Sequence, residues 1–259
     1  MIFRYAIAKK PADTFAYGLT SGQYGKPDLS VTMKQHEAYC RALEQCGLEV
    51  TLLPADDRYP DSIFTEDNAV IGSGFAVITN PGADSRKGET EAIETALKNF
   101  PSIHRIHHIT PPGTVDGGDI CEAEDVFFIG VSQRTNEQGA RQLSMILSDE
   151  GYHPVFVDIR AIKPLLHLKS GIAYLSHKNL VIIDELAGLP VFQDYRRICI
   201  QPEENYASNC VKINDRVLFA SGYPILAKVL SDLGYDLLTL DMSEYRKMDG
   251  GLSCLSLRF

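Results

Sequence analysis

The chain has 259 residues, 44% of them apolar, with 34 acidic against 25 basic side chains and a formal net charge of -9. That apolar fraction is ample for a buried core, and the length fits one large domain or two small ones. The acidic balance excludes nucleic acid and anionic membrane as main partners, since both require a positive surface, and it suits a cationic small molecule.

No charged-then-apolar leader opens the sequence, and no apolar run approaches the ~20 residues of a membrane-spanning helix, so the expectation is a soluble, cytoplasmic protein. Six cysteines, Cys40, Cys46, Cys121, Cys199, Cys210 and Cys254, are spread without close pairing. Spacing of that kind in a reducing compartment predicts free thiols. No C-x-x-C pair is present to hold zinc.

In chain order, the first predicted helix lies in "YCRALEQCGLEVTLL", where Tyr39, Ala42, Leu43 and Cys46 keep helical spacing and Gly47 stops the helix before a strand. The strand pair "NAVIGSGFAVIT" precedes a helix over "ETEAIETALKNF", with Ala92, Ile93, Ala96, Leu97 and Phe100 as its stripe. "HRIHH" (104 to 108) sits between prolines and is predicted as a connecting strand; without an acidic or cysteine partner at ligand spacing, no metal is assigned to its histidines. Ala140, Leu143 and Leu147 mark the next helix, which ends at Gly151. Residues 167 to 202 offer the strands "SGIAYL", "NLVIID" and "RICIQP" around a weak helix. A last helix, with Ile225, Leu226, Val229, Leu230 and Leu233 as its stripe, ends at Gly234.

About five α/β units emerge, so a repeat architecture is the expectation. Strands come as hairpins before each helix, and no G-x-G-x-x-G follows a strand, which argues against a simple doubly wound dinucleotide fold. Units of ββαβ type arranged radially fit better. In such a ring, loops from different units converge on the axis, so site residues should be scattered in sequence at unit edges.

Four polar clusters interrupt the apolar pattern: "PDSIFTEDNAV" (60 to 70), "TVDGGDI" (114 to 120), "LLHLKS" (165 to 170) and the closing "DGGLSC" (249 to 254). A cysteine and a histidine far apart in sequence are the ingredients of thiol nucleophilic catalysis, which needs spatial and not sequential adjacency. Each residue also has a plainer reading. Cys254 reads as a small core residue, His167 as a satisfied buried histidine, Asp116 and Asp119 as turn residues, and Glu66 and Asp67 as a solvated acidic turn.

Taken together, "PDSIFTEDNAV", "DGGDI", "FFIGVSQRTNEQGA", "HLKS", "NYASNCV" and "DGGLSCLS" resemble, in order, the dimethylarginine dimethylaminohydrolases of the guanidine-modifying superfamily. "TSGQYGKPDL" resembles that family's substrate-covering loop. The resemblance implies a pentein fold, a five-bladed α/β propeller of ββαβ repeats forming a single catalytic domain over residues 1–259. It implies Cys254 as nucleophile, His167 as acid/base and Asp116 as the carboxylate near that histidine, where some relatives carry the longer Glu. It further implies that Glu66, Asp67 and Asp249 receive the guanidinium group with Asp61 as a further acid of that pocket, that Arg86 and Arg134 hold the substrate's α-carboxylate, and that the backbone of Leu19 contacts the α-amino end. Such carboxylates suit guanidinium, whose planar N–H groups pair with carboxylate oxygens two at a time.

The implied reaction is hydrolysis of an Nω-methylated arginine to citrulline and dimethylamine or methylamine through a covalent thiouronium on Cys254, with no metal and no organic cofactor. A homodimer is expected from relatives. The alternatives are a small arginine deiminase or citrulline-type hydrolase on the same fold, and a non-catalytic guanidinium-binding protein. Agmatine deiminase fits less well, because agmatine lacks the carboxylate that Arg86 and Arg134 would bind.

Overall fold

A computed structural model describes every residue except Met1 and Pro164. The chain begins with β1 (Tyr5–Lys9), helix α1 (Leu29–Gln45) and β2 (Glu49–Leu53), which lies parallel to β1. A hairpin of β3 (Ala69–Gly72) and β4 (Phe75–Ile78) follows, and α2 (Thr90–Leu97) returns the chain to β5 (Arg105–His108), parallel to β4. The same order recurs in β6 (Ile120–Ala123), β7 (Val126–Val131), α3 (Glu137–Asp149) and β8 (His153–Asp158). It recurs again in β9 (Ile172–Ser176), β10 (Asn179–Ile183), the short α4 (Asp184–Ala187) and β11 (Arg196–Ile200). Then come β12 (Val211–Ile213), β13 (Arg216–Ala220), α5 (Pro224–Asp232) and β14 (Asp236–Leu240), before α6 (Ser243–Arg246) and β15 (Ser256–Arg258).

Because β15 pairs antiparallel with β1, the two ends of the chain together supply the hairpin that the first repeat otherwise lacks. Among the described residues this makes five three-stranded sheets, each with its hairpin's second strand in the middle. Those middle strands read as unbroken apolar runs, such as "FAVI" in β4 and "LVII" in β10, because both of their faces are covered. The parallel outer strands are only partly buried, as in β2 and β14.

The chain divides into two compact units, Met1–Glu66 with Cys210–Phe259, and Asp67–Asn209. In the second, Phe75, Val77, Phe127, Ile129, Ala140 and Leu143 belong to one apolar cluster in which each is at most 1% exposed. In the first, Tyr39, Phe15 and Tyr245 are the largest fully buried side chains, and the Tyr245 hydroxyl donates to the Thr32 carbonyl at 3.1 Å.

The predicted helices form, though α5 buries a narrower stripe than its sequence suggests. Leu226 and Leu230 are buried, whereas Ile225 and Val229 are 47% and 39% exposed. A nine-residue helix lying on one small sheet covers only its i, i+4 line. "HRIHH" is largely strand, as expected, with His107 on Glu150 at 2.9 Å and His108 on Glu94 at 3.2 Å. These are contacts with carboxylates remote in sequence, which the spacing could not reveal.

The start of α3 fixes the loop that runs into residues 115–119. Asn136 caps the helix by accepting from the Gly139 N–H at 2.8 Å, and the same oxygen accepts from the Thr114 N–H at 3.1 Å. Helix and loop touch so closely that a Cβ at Gly139 would stand 2.0 Å from the Thr114 carbonyl oxygen. Alanine is the better helix former by ~1 kcal/mol, yet the clash is with backbone and outweighs it. Gly139→Ala is expected to destabilise the protein by about 1–3 kcal/mol in urea unfolding; an unchanged or higher midpoint would mean that the loop gives way at no cost.

Candidate active site

A short 3-10 turn leads into the first hairpin strand of every repeat: Thr65–Asn68, Gly117–Asp119, Leu168–Ser170, Pro202–Ser208 and Ser253–Leu255. Four of the five carry or directly follow an expected site residue. Glu66 and Asp67 lie in the first, Asp116 and His167 are the residues immediately before the second and third, and Cys254 is in the last.

Within Asp67–Asn209, His167 and Asp116 meet. The imidazole Nε2 lies 3.0 Å from Asp116 Oδ2, so aspartate is long enough for the reach to the histidine. The other oxygen, Oδ1, accepts from the Gly82 N–H at 2.8 Å, and the Asp116 N–H donates to the Thr135 hydroxyl at 3.1 Å. Asp119 Oδ1 accepts from the Leu168 N–H at 3.0 Å and Oδ2 from the Ser132 hydroxyl at 2.6 Å. One carboxylate thereby ties the backbone next to His167 to the turn carrying Arg134, whose N–H donates to Ser132 Oγ at 2.9 Å.

Gly118 explains itself by close approach. A Cβ there would fall 2.7 Å from His167 Nδ1 and 2.8 Å from Asp67 Oδ1. With no side chain at 118, its N–H donates to Asp67 Oδ1 at 2.8 Å.

Burial works against charge on His167, but Asp67, the hydrogen bond to Asp116 and the nearby Asp119 prevail and push its pKa up to about 9. The imidazole is therefore protonated at neutral pH and donates to Asp116. Asp67 is drawn down despite its burial by His167 and Arg86. Asp119 is pushed up to about 6, chiefly by burial.

Arg86, expected at the substrate's α-carboxylate, is 4% exposed and instead spreads its guanidinium over two acids of its own unit. Nη1 lies 2.5 Å from Asp67 Oδ2, and Nη2 lies 2.7 Å from Glu89 Oε2. Arg134 is less committed, at 3.8 Å from Asp116 Oδ2 with 18% of its side chain exposed. Asp67, Asp116 and His167 bring ligand-type atoms within 4.8 Å of one another. In the structure these atoms are engaged with one another and with Arg86, His167 on Asp116 and Asp67 on the Arg86 guanidinium, as an ion-pair network.

Within the unit formed by Met1–Glu66 and Cys210–Phe259, Asp61 accepts the Leu19 N–H at 3.0 and 3.1 Å. Any contact from the Leu19 backbone to an ammonium group therefore falls to its carbonyl. Asp249, at φ 56, accepts the Ser21 N–H and, at 2.7 Å, the Ser21 hydroxyl, which fastens the loop after Leu19. Glu66 accepts from the Ser253 hydroxyl at 2.7 Å and from Arg258 Nη2 at 3.1 Å. Cys254, partly buried and in no disulfide, is the next residue after Ser253.

Ser21, Glu89, Ser132, Ser253 and Arg258 are absent from the sequence-derived set, since each acts through a partner that its own stretch of sequence does not identify. The one available signal is strand alternation, which puts Arg258 on the same face as the fully buried Ser256.

A family model described as "N,N dimethylarginine dimethylhydrolase, eukaryotic" matches residues 23–188. The chain is 47% identical over 259 residues to an N(G),N(G)-dimethylarginine dimethylaminohydrolase of Pseudomonas aeruginosa, covering 100% of both. It is 33% identical over 254 residues to one of Streptomyces coelicolor, covering 98% of this chain and 96% of the other. A solved structure of the Pseudomonas aeruginosa enzyme, a cysteine-to-serine mutant complexed with citrulline, matches at TM-score 0.95 and 46% identity over 100% of both chains. The N-terminal domain of the cyanobacterial arginine dihydrolase ArgZ shares the fold at TM-score 0.86 and 16% identity, covering 99% of this chain and 97% of the other. By sequence and by its five repeated sheets, the chain belongs to the dimethylarginine dimethylaminohydrolase family and has the pentein fold, a five-bladed α/β propeller of ββαβ repeats.

Proposed function

We propose that the protein is a hydrolase that converts Nω-methylated arginine to citrulline and dimethylamine or methylamine, with Cys254 as nucleophile and His167 as acid and base. The observation that carries this reading is the buried His167–Asp116 pair, protonated at neutral pH, in a chain 47% identical throughout to a dimethylarginine dimethylaminohydrolase. The reading treats residues 1–259 as one catalytic domain. A cytoplasmic location and a homodimer accompany it on the strength of the resemblance; for the location, the described residues include no helix long and apolar enough to cross a membrane.

A guanidinium carbon is a poor electrophile because its charge is spread over three nitrogens. In the proposed reaction, carboxylates fix two of those nitrogens, orient the carbon and localise charge toward it as the Cys254 thiolate attacks. His167 is already protonated at rest, so it is not the base that ionises the thiol; the bound cation favours the thiolate instead. His167 then donates its proton to the departing amine, leaving a thiouronium on Cys254. The neutral imidazole next takes a proton from water, which attacks the same carbon and releases the ureido product.

We assign Glu66, Asp67, Asp61 and Asp249 to the cationic end of the substrate, and Arg134 to its α-carboxylate because its fork is the less committed. Arg86 contributes by holding Asp67, and direct contact with the α-carboxylate would require it to leave Asp67 or Glu89.

Incubation with asymmetric dimethylarginine, monomethylarginine and arginine separates this reading from its rivals. Citrulline with dimethylamine is expected from the first, and nothing from Cys254→Ser. Ammonia released from arginine would make the protein a small deiminase, and silence on all three would leave a binding protein. His167→Gly should still form the thiouronium and hydrolyse it slowly, so intact mass spectrometry is expected to find the adduct; its absence in an inactive variant would place thiol activation on His167.

The pH profile tests the Asp116 contact. Below about 9 the imidazole holds the proton that the leaving amine needs, so kcat/KM of the wild type should fall as pH rises through about 9. Asp116→Asn removes the anionic acceptor that favours the charged imidazole, and the alkaline limb should move to lower pH, toward the ~6.5 of an ordinary histidine. An unmoved limb would show that another group governs it.

A further inference from the structure

The penultimate residue, Arg258, lies outside every cluster assigned above, yet its guanidinium reaches two of the parts that matter. Nη2 donates to Glu66 Oε1 at 3.1 Å. Nη1 lies 3.0 Å from the Ser253 carbonyl oxygen, 2.8 Å from the Ser256 carbonyl oxygen and 2.9 Å from Ser256 Oγ. The Ser253 hydroxyl completes the figure by donating to the other Glu66 oxygen, Oε2, at 2.7 Å. The side chains of Arg258 and Glu66 are 12% and 4% exposed, so this pair is shielded from the screening that weakens surface ion pairs. Tyr39, itself fully buried, braces the assembly from α1 with its hydroxyl 2.6 Å from Ser256 Oγ.

Three features make this more than a structural ion pair. The Ser253–Leu255 turn contains Cys254, and both a backbone carbonyl and a hydroxyl of Ser253 belong to the network. Glu66 is an acid buried to 3% exposure, and a buried carboxylate is oriented by whatever hydrogen bonds it accepts. Arginine suits the position because one rigid fork can bind a carboxylate oxygen and a carbonyl at once, which the single ammonium of lysine does with less geometric control.

We propose that Arg258 is a positioning residue that, with Ser253, locks the Glu66 carboxylate to the turn bearing Cys254 and so aims Glu66 at the guanidinium of the substrate. The assignment rests on the reading that Glu66 receives that guanidinium. Arg258 acts through Glu66 and touches no reacting atom. Its effect is therefore on charge recognition at the thiol and not on the thiol's intrinsic reactivity.

Two alkylating reagents of similar size separate these effects: chloroacetamidine, a cation that mimics guanidinium, and neutral chloroacetamide. Their rates of reaction with Cys254 are followed by intact mass, with Cys254→Ser as background, in the wild type, Glu66→Gln, Arg258→Met, Arg258→Lys and the Glu66→Gln/Arg258→Met double variant. Glu66→Gln should lower the cation-over-neutral rate ratio by about ten- to a hundredfold, the scale of a charge-assisted hydrogen bond. Arg258→Met should lower the ratio similarly, leave the chloroacetamide rate within about twofold, and add nothing in the double variant. Arg258→Lys should recover part of the loss. If Arg258→Met does not fold, Ser253→Ala carries the test, since it removes the other hydrogen bond to Glu66. A wild-type ratio in Arg258→Met, an equal loss with both reagents, or a further loss in the double variant would overturn the proposal. An unchanged ratio in Glu66→Gln would instead remove the reading of Glu66, and the role of Arg258 with it.

Discussion

Buried charge is the constraint that organises the acid-rich unit. Asp67, Arg86, Glu89, Asp116, Asp119 and His167 are each 7% exposed or less, and an ion taken out of water at that depth costs several kcal/mol unless another charge or a set of hydrogen bonds compensates it. Every connection in this group answers that demand. Arg86 spans Asp67 and Glu89; His167 takes Asp116; backbone N–H groups of Gly82, Gly118 and Leu168 and the Ser132 hydroxyl donate to further carboxylate oxygens. Four acids stand against two cations in this buried set, with Arg134 at its margin. The imbalance favours a further cation, and guanidinium is the cation whose shape suits paired carboxylates.

The repeat supplies the positions and the sequence varies their chemistry. A 3-10 turn stands before each first hairpin strand, so one architectural slot carries or follows acids in one repeat, a histidine in another and a thiol in a third. The last of these slots leads into β15, which completes the sheet of β1. The same scaffold can therefore host different reactions by changes at a few turn residues.

The fold was largely legible because its signals are local. Helical stripes, hairpin spacing and the glycines Gly47, Gly151 and Gly234, at φ 88, 87 and 87, can all be read within a dozen residues. The ordered clusters named Cys254, His167 and the acids. What could not be read was pairing across long sequence separations. Nothing in "DSRKGET" reveals that Arg86 turns back onto Asp67, 19 positions earlier. Nothing in "SLRF" shows Arg258 reaching Glu66 across 192 positions, or Ser21 reaching Asp249 across 228. The exposed side of α5 has the same origin, since the width of a buried stripe depends on the surface beneath the helix and not on the helix's own pattern.

In the proposed reaction His167 serves two opposite steps, and the carboxylates around it would make that possible. A histidine raised to about 9 stores its proton securely at neutral pH, and it parts with that proton only to a stronger base, such as an amine whose bond to carbon is breaking. Once the proton has gone, the same Asp67, Asp116 and Asp119 surround a neutral imidazole that they favour in its charged form. Its affinity for a proton is then high, which makes it an effective base toward water. The acids therefore need not move between the two halves of the reaction. In the proposed reaction their fixed geometry would make His167 an acid while the amine leaves and a base once it has gone, with the change of role set by the substrate's charge.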